Sequence, residues 1–226
     1  MNLPEENEII ETQDGSHSIL SKRFGVSYHS KYGALQESQH VFIHAGLNPC
    51  LLRKKEEVNI LEFGFGTGLN AYLSFLTAEK QKRKINYVGI EAYPIDQDMV
   101  NALNYAALLE RSEVPFQTMH TSPWGETIEI GEFCTFKKIK GLFEDQAFDA
   151  QFDVIYFDAF APTSQPSLWE EALLKIAYDA LMKDGIFVTY CAKGAVKRAL
   201  KAIGFEVEAL PGPPGKREMT RGIKRS

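Results

Sequence analysis

The sequence predicts an α/β protein built on a doubly wound, mainly parallel sheet, with a small β appendage at its N-terminus. Three observations carry this expectation. From Val58 onward, apolar strand-like runs alternate with stretches of helical periodicity, the order that builds parallel sheets with helices on both faces. The first run ends in a glycine-rich turn, Gly64-Phe65-Gly66-Thr67-Gly68, which leads into a helix. Two later runs deliver a carboxylate at their ends, Glu91 and Asp158, and in such sheets ligands collect beyond the carboxyl ends of the strands.

The elements follow in order. Residues 7–45 carry short β-like runs punctuated by Asp14-Gly15, Gly25 and Gly33, and read as hairpins. They make residues 1–50 an appendage to a main domain over residues 51–226. In that domain VNILEF is the first strand, a helix runs from about Leu69 to Lys80, INYVGIEA is the second strand, and a helix crosses roughly Ile95 to Leu109. FCTFKKI, FDVIYFDAF and GIFVTYC follow as strands, with helical segments near Leu168 to Met182 and Ala195 to Ile203. No internal repeat or low-complexity tract interrupts them.

Composition narrows the function classes. A chain of 226 residues, 44% hydrophobic and 24% charged, suits one folded domain with a small addition. No stretch reaches the roughly 18 uninterrupted apolar residues of a membrane helix, and MNLPEENEII is acidic where a leader would be basic, so a cytoplasmic protein is expected. Cys50, Cys134 and Cys191 are odd in number and widely spaced, which indicates neither a disulfide framework nor a zinc site; no metal is expected. The net charge of -5 opposes general nucleic-acid affinity, yet from Lys193 onward nine basic residues face three acidic ones. The C-terminal segment alone could meet a polyanion.

The glycine turn lets a ligand approach bare backbone. A strict dinucleotide fingerprint would place glycine where this chain has Leu69. Glu91, at the end of the second strand, can accept hydrogen bonds from both hydroxyls of a ribose, which suits NAD or an adenosyl cofactor equally.

Several stretches together resemble one family. ILEFGFGTGLN looks like the cofactor loop of class I S-adenosylmethionine-dependent methyltransferases. With YHSKYGALQESQHVFI, EAYP, FDAFAPTSQPSLW and AIGFEVEALPGPPGKREMTRG, it resembles the methyltransferase half of the bifunctional tRNA-modifying enzyme MnmC, from about Tyr28 to Gly222. The resemblance implies a Rossmann-like methyltransferase domain that binds S-adenosyl-L-methionine. It implies methylation of the 5-aminomethyl group of a (2-thio)uridine at the tRNA wobble position. It places cofactor contacts on Glu62, Gly64, Phe65, Gly66, Thr67, Gly68, Asn70, Glu91, Ala92, Asp158 and Ala159. In the bifunctional enzyme a flavin-dependent oxidoreductase domain follows. This chain resembles the stand-alone form, so a separate oxidoreductase or other upstream tRNA-modifying enzyme is expected to supply the aminomethyl precursor. One departure concerns adenine: after FCTFKKI the nearest acids are Glu144 and Asp145, which leaves backbone groups or Asp145 to meet it.

Methyl transfer from a sulfonium to an amine needs positioning and electrostatics above all. The attacking nitrogen becomes cationic, so a fixed carboxylate beside it stabilises the developing charge, and Asp158 is the catalytic candidate. Pro162 and Pro166 stiffen the following loop, while Phe160 or Trp169 could face a base or cover the pocket. Tyr28 and Glu37 are candidates for reaching over the cofactor or the uridine. Tyr28, Phe160, Pro162, Lys193, Lys197, Arg198, Lys216 and Arg217 are the expected tRNA contacts, the basic ones through phosphates and without reading sequence. The competing readings are a methyltransferase for a small amine or hydroxyl compound, and a noncatalytic RNA-binding protein that keeps the fold.

Overall fold

The computed structural model describes residues 7–225. Strands β1 (Glu8–Glu11) and β2 (His17–Leu20) pair antiparallel across the Asp14-Gly15 turn, as expected. Past them the expectation of hairpins fails. Residues 34–51 are helical throughout: α1 (Ala34–Ser38), a π-helix (Gln39–Leu47) and α2 (Asn48–Leu51). The run Val41-Phe42-Ile43 reads locally as a strand, but it is buried in the same apolar cluster as Ile60, Val154, Tyr156 and Val188. Gly46 lies so near the sheet that a Cβ there would stand 3.0 Å from a Val188 methyl. Packing decides the conformation here, over β propensity.

The remaining elements are β3 (Glu57–Phe63), α3 (Leu69–Gln81), β4 (Lys84–Glu91), α4 (Gln97–Ala102), α5 (Tyr105–Leu108), α6 (Glu113–Thr121), β5 (Thr127–Ile130), β6 (Cys134–Lys140) and β7 (Phe152–Phe157). A 3-10 turn (Pro166–Trp169), α7 (Glu171–Ala180), β8 (Leu181–Thr189), α8 (Gly194–Ile203), β9 (Phe205–Pro211) and β10 (Glu218–Lys224) complete the chain. Eight strands form one sheet in the order β5-β6-β4-β3-β7-β8-β10-β9. Neighbours from β6 to β8 are parallel, while β5 and β10 run antiparallel to theirs. Chain order reverses at β3, with β4 on one side and β7 on the other. A crevice opens beyond the strand ends at such a point.

The central strands are buried on both faces, which is why they read as continuous apolar runs. Ile60, Tyr87, Val154 and Tyr156 face α3 and the π-helix side, whereas Leu61, Ile90, Ile155 and Phe157 face the α7 and α8 side. All eight are at most 1% exposed, and each such side chain contributes on the order of 2 kcal/mol by burial.

A further expectation is corrected. The helix foreseen across 95–109 breaks at Leu103-Asn104, because Asn104 turns its amide to the β1-β2 hairpin. Its oxygen accepts from His17 N–H at 2.8 Å and its nitrogen donates to the Gly15 carbonyl at 2.9 Å. The basic C-terminal segment was not foreseen as strand, yet it forms the β9-β10 hairpin, with β10 inserted beside β8. Gly222 permits this closeness, since a Cβ there would lie 2.9 Å from the Phe205 ring. Among the described residues, no helix is long and apolar enough to cross a membrane.

Candidate functional site

The turn after β3 is held by its neighbours on both sides. Gly64 and Phe65 donate to the Ile90 carbonyl of β4 at 3.1 and 2.9 Å, and Asp158 N–H donates to the Phe63 carbonyl at 2.9 Å. Gly64 has φ +98°, and a Cβ on it would lie 2.7 Å from the Asp158 carbonyl oxygen, so only glycine lets the ends of β3 and β7 meet. Gly68, at φ +74°, opens α3 and faces His120, whose Nε2 would be 2.6 Å from an added Cβ. The His120 Nε2–H donates to the Thr67 carbonyl at 3.1 Å, and burial lowers its pKa to about 4. The imidazole is therefore a neutral prop behind the turn.

The carboxylates differ in how they are held. Glu91 accepts from Gly66 N–H at 2.9 Å and Tyr93 N–H at 2.8 Å, which fixes its head group and leaves further lone pairs toward the pocket. Burial raises its pKa, against those hydrogen bonds. Glu62 is fully buried and does not line the pocket. Its oxygens accept from Asn70 Nδ2 at 2.8 Å and the Tyr87 hydroxyl at 2.7 Å, and burial pushes its pKa well up. Asn70 Nδ2 also donates to Asp158 Oδ2 at 2.9 Å. Glu62 thus reaches the pocket wall through Asn70. Asn70 Oδ1 is buried without a hydrogen-bond partner among the described residues, while Asn70 itself lines the pocket.

Asp158 sits at the base of the same pocket. Burial, then the charge of Glu37, raise its pKa to about 7, while the Asn70 hydrogen bond and Lys216 pull the other way. A carboxyl group poised near neutrality can hold or release a proton at little cost.

The structure brings together Tyr28, Gly64, Phe65, Gly66, Thr67, Asn70, Glu91, Ala92, Asp158, Ala159 and Phe160 around one cavity. Sequence reasoning missed its other walls. Phe24 packs on Phe160 with ring centroids 4.8 Å apart and on Tyr93 at 5.9 Å, so the segment before Tyr28 bridges the ends of β4 and β7. Leu142, Phe143 and Glu144 close the side beyond β6, and Asp145 does not reach it. His29, also in the lining, has its pKa lowered to about 4 by burial. No local pattern marks Phe24, and His29, though it lies inside the motif-like YHSKYG run, shows no signal of its own.

Phe160 covers the pocket, its ring 5.0 Å from that of Tyr28. Trp169 is core, with its indole N–H donating to the Phe160 carbonyl at 2.8 Å. Pro162 lines a second, open crevice with Tyr190, Lys193, Lys216 and Arg217. Lys197 is paired with Glu218 at 2.7 Å and Lys216 with Glu37. Lys193, Arg198 and Arg217 are exposed, and no ion pair engages them among the described residues.

Comparison with known proteins agrees with this geometry. A family model described as S-adenosyl-L-methionine-dependent methyltransferase matches residues 135–225. The tRNA 5-methylaminomethyl-2-thiouridine biosynthesis bifunctional protein MnmC of Chromobacterium violaceum is 32% identical over 222 residues, covering 93% of this chain and 33% of that protein. Its namesake in Burkholderia thailandensis is 29% identical over 222 residues, covering 93% of this chain and 34% of that protein. The chain thus spans about a third of the length of the curated relatives it matches. The crystal structure of MnmC2 from Aquifex aeolicus superposes with a TM-score of 0.79 at 24% identity, over 97% of this chain and 71% of that one. The chain has the class I methyltransferase fold, and its resemblance to the methyltransferase half of MnmC extends over nearly all its length.

Proposed function

We propose that the chain catalyses S-adenosylmethionine-dependent N-methylation of the 5-aminomethyl group of (2-thio)uridine at the wobble position of tRNA. The observation that carries this reading is a half-buried carboxyl, Asp158, lining a glycine-walled pocket, a few residues before Ala161 and Pro162 of a crevice edged by exposed basic residues.

The pocket residues fit the cofactor. Asn70 Oδ1 is a buried acceptor lacking a donor, as a ligand amino group would supply. Glu91 is pinned by two backbone N–H groups with lone pairs to spare for the ribose hydroxyls. Phe24, Leu142 and Phe143 offer apolar walls for the base. When bound, the cofactor supplies an electrophilic methyl group on a sulfonium. The chain's residues do the rest by placement. Gly64 and Gly66 present bare backbone, Asn70 orients Asp158, and Asp158 stands beside the acceptor nitrogen. As that nitrogen becomes cationic, the carboxylate stabilises the charge; with a pKa near 7 it can also take the proton that the amine must shed.

Pro162, Lys193 and Arg217 line the crevice and Arg198 is exposed on the helix that follows Lys193; tRNA phosphates would bind there without sequence reading and an unstacked uridine would enter. The bifunctional character of the relatives, named for 5-methylaminomethyl-2-thiouridine biosynthesis, supports tRNA over a small acceptor. The aminomethyl precursor is then supplied by an oxidoreductase or another upstream tRNA-modifying activity, and the chain works in the cytoplasm. The test is incubation with methyl-labelled cofactor and tRNA from cells lacking the final methylation, followed by nucleoside analysis. Label in 5-methylaminomethyl-2-thiouridine supports the proposal; label in another nucleoside, or only in small molecules, overturns it.

A further inference from the structure

Lys216 belongs to the motif-like GKREM, and its charge suggests a phosphate contact. Its surroundings say otherwise. The ammonium donates to Glu37 Oε1 and lies 4.0 Å from the centroid of the Tyr190 ring. The Glu37 side chain is only 8% exposed, and its other oxygen accepts from Ser30 N–H at 2.9 Å. Tyr190, at the end of β8, donates its hydroxyl to the Ala159 carbonyl at 2.8 Å. Gly215, at φ +80°, fits the loop against the N-terminal segment, since a Cβ there would lie 2.1 Å from the Tyr32 ring. Three segments distant in sequence, around residues 30–37, 190 and 212–217, therefore meet at one ammonium, and the Tyr190 hydroxyl ties a fourth, at Ala159, to them.

We propose that Lys216 is a positioning residue: paired with Glu37, it braces Tyr190 and, through the Tyr190–Ala159 hydrogen bond, fixes the Asp158 loop beside the acceptor crevice, and so is not a phosphate contact. The inference rests on the reading of Asp158 as the group that meets the acceptor nitrogen. To bind a phosphate, Lys216 would have to leave a buried carboxylate unpaired, which is far costlier than loosening an exposed pair. Lys193 and Arg217 line the same crevice without that obligation.

Charge gives a second handle. The groups acting on Asp158 are Glu37 and Lys216, together with Asn70; Glu62 and Tyr190 also feel its charge. Of these, Glu37 raises its pKa and Lys216 lowers it. Removing the two members of the pair should move the acid limb of the pH–rate profile in opposite directions, upward in Lys216→Met and downward in Glu37→Gln. A purely architectural pair would not split in this way.

The experiment compares wild type, Lys216→Met, Lys216→Arg and Glu37→Gln in methyl transfer to hypomodified tRNA across pH and salt. The expected result for Lys216→Met is a fall in kcat of about 10- to 100-fold, with the salt slope of tRNA binding unchanged, partial recovery in Lys216→Arg, and the opposed pH shifts. A kcat near wild type, with a tRNA salt slope reduced by about 1, would make Lys216 a phosphate contact and overturn the proposal. Hydrogen exchange of residues 158–165 decides independently of turnover: faster exchange in Lys216→Met supports the brace and unchanged exchange removes it. Should wild type methylate no tRNA, the functional reading falls while this exchange comparison still judges the brace. Glu37→Gln keeps the side-chain shape and serves if Lys216→Met does not fold.

Discussion

Replacing Asp158 by asparagine separates what the carboxylate costs the fold from what it does in the reaction. Its folded-state pKa is about 7, against an ordinary value of 3.8. Between those values the folded chain holds a proton that the unfolded chain has released, so stability falls as pH rises from about 4 to about 7 and levels off above that. This is the reverse of a salt-bridged carboxylate. A raised pKa of about three units, at 1.36 kcal/mol each, gives roughly 4 kcal/mol. The pocket-facing edge of the group keeps part of its hydration, which brings the expected penalty to about 2–4 kcal/mol. Asparagine carries no such penalty, and its oxygen can still accept from Asn70 Nδ2. Asp158→Asn should therefore be the more stable protein by about that amount at pH 8, with less than half the advantage left at about pH 5. Turnover should fall about 10²- to 10³-fold, with cofactor binding mostly retained. Urea denaturation of both proteins at the two pH values, beside single-turnover methyl transfer, is the assay. A stability difference independent of pH, or wild-type turnover in the variant, refutes the reasoning.

Three other perturbations probe the pocket. Gly64→Ala combines a left-handed backbone with a Cβ 2.7 Å from the Asp158 carbonyl, and should lose about 1–3 kcal/mol of stability; an unchanged melting temperature would show that the turn tolerates a side chain. Asn70→Ala removes the donor shared by Glu62 and Asp158 and the acceptor aimed at the cofactor. It should weaken cofactor binding by about 1–3 kcal/mol, read by calorimetry, and equal affinity would discard the assigned contact. Lys193, Arg198 and Arg217, changed together to alanine, should lower the salt slope of tRNA binding by about 2–3 with kcat at saturating tRNA kept. A slope equal to wild type would move the tRNA surface elsewhere.

The parts of the fold legible in the sequence were those where local pattern and tertiary role coincide. Ile60, Leu61 and Phe63 of β3 and residues 154–157 of β7 are apolar because both faces of the two strands are buried, and the three glycines of the turn each answer a local steric demand. Residues 34–51 were misread because Val41-Phe42-Ile43 carries β propensity, and only the sheet face beneath makes it helical. Helix α4 stops early for Asn104 to clamp a hairpin about 90 residues upstream, which no periodicity records. Asp158 and Glu91 announced themselves as charges at the ends of apolar runs. Glu62 offered the same signal with a different role, since the side-chain alternation of β3 turns it inward to Tyr87 and Asn70. Phe24 and the Glu37–Lys216 pair were invisible as partners because each joins segments brought together only by the folded chain.

Around the pocket, the acidic groups outnumber their counter-charges. Burial raises the pKa of Glu62, Glu91 and Asp158 alike, and Lys216, the cation acting on Asp158, is already engaged by Glu37. Such a cavity gains little from a neutral ligand. A cationic one supplies the missing counter-charge, favours the ionised carboxylates and draws those pKa values down. In the proposed reaction positive charge leaves sulfur and appears on nitrogen, so the field that favours the donor before transfer favours the methylated amine after it, provided a carboxylate stands at the nitrogen end. Asp158 stands just past the end of β7, lining the pocket beside the glycine turn. The electrostatic strain that destabilises the ligand-free fold is thus the source of its preference for a charge moving toward the acceptor.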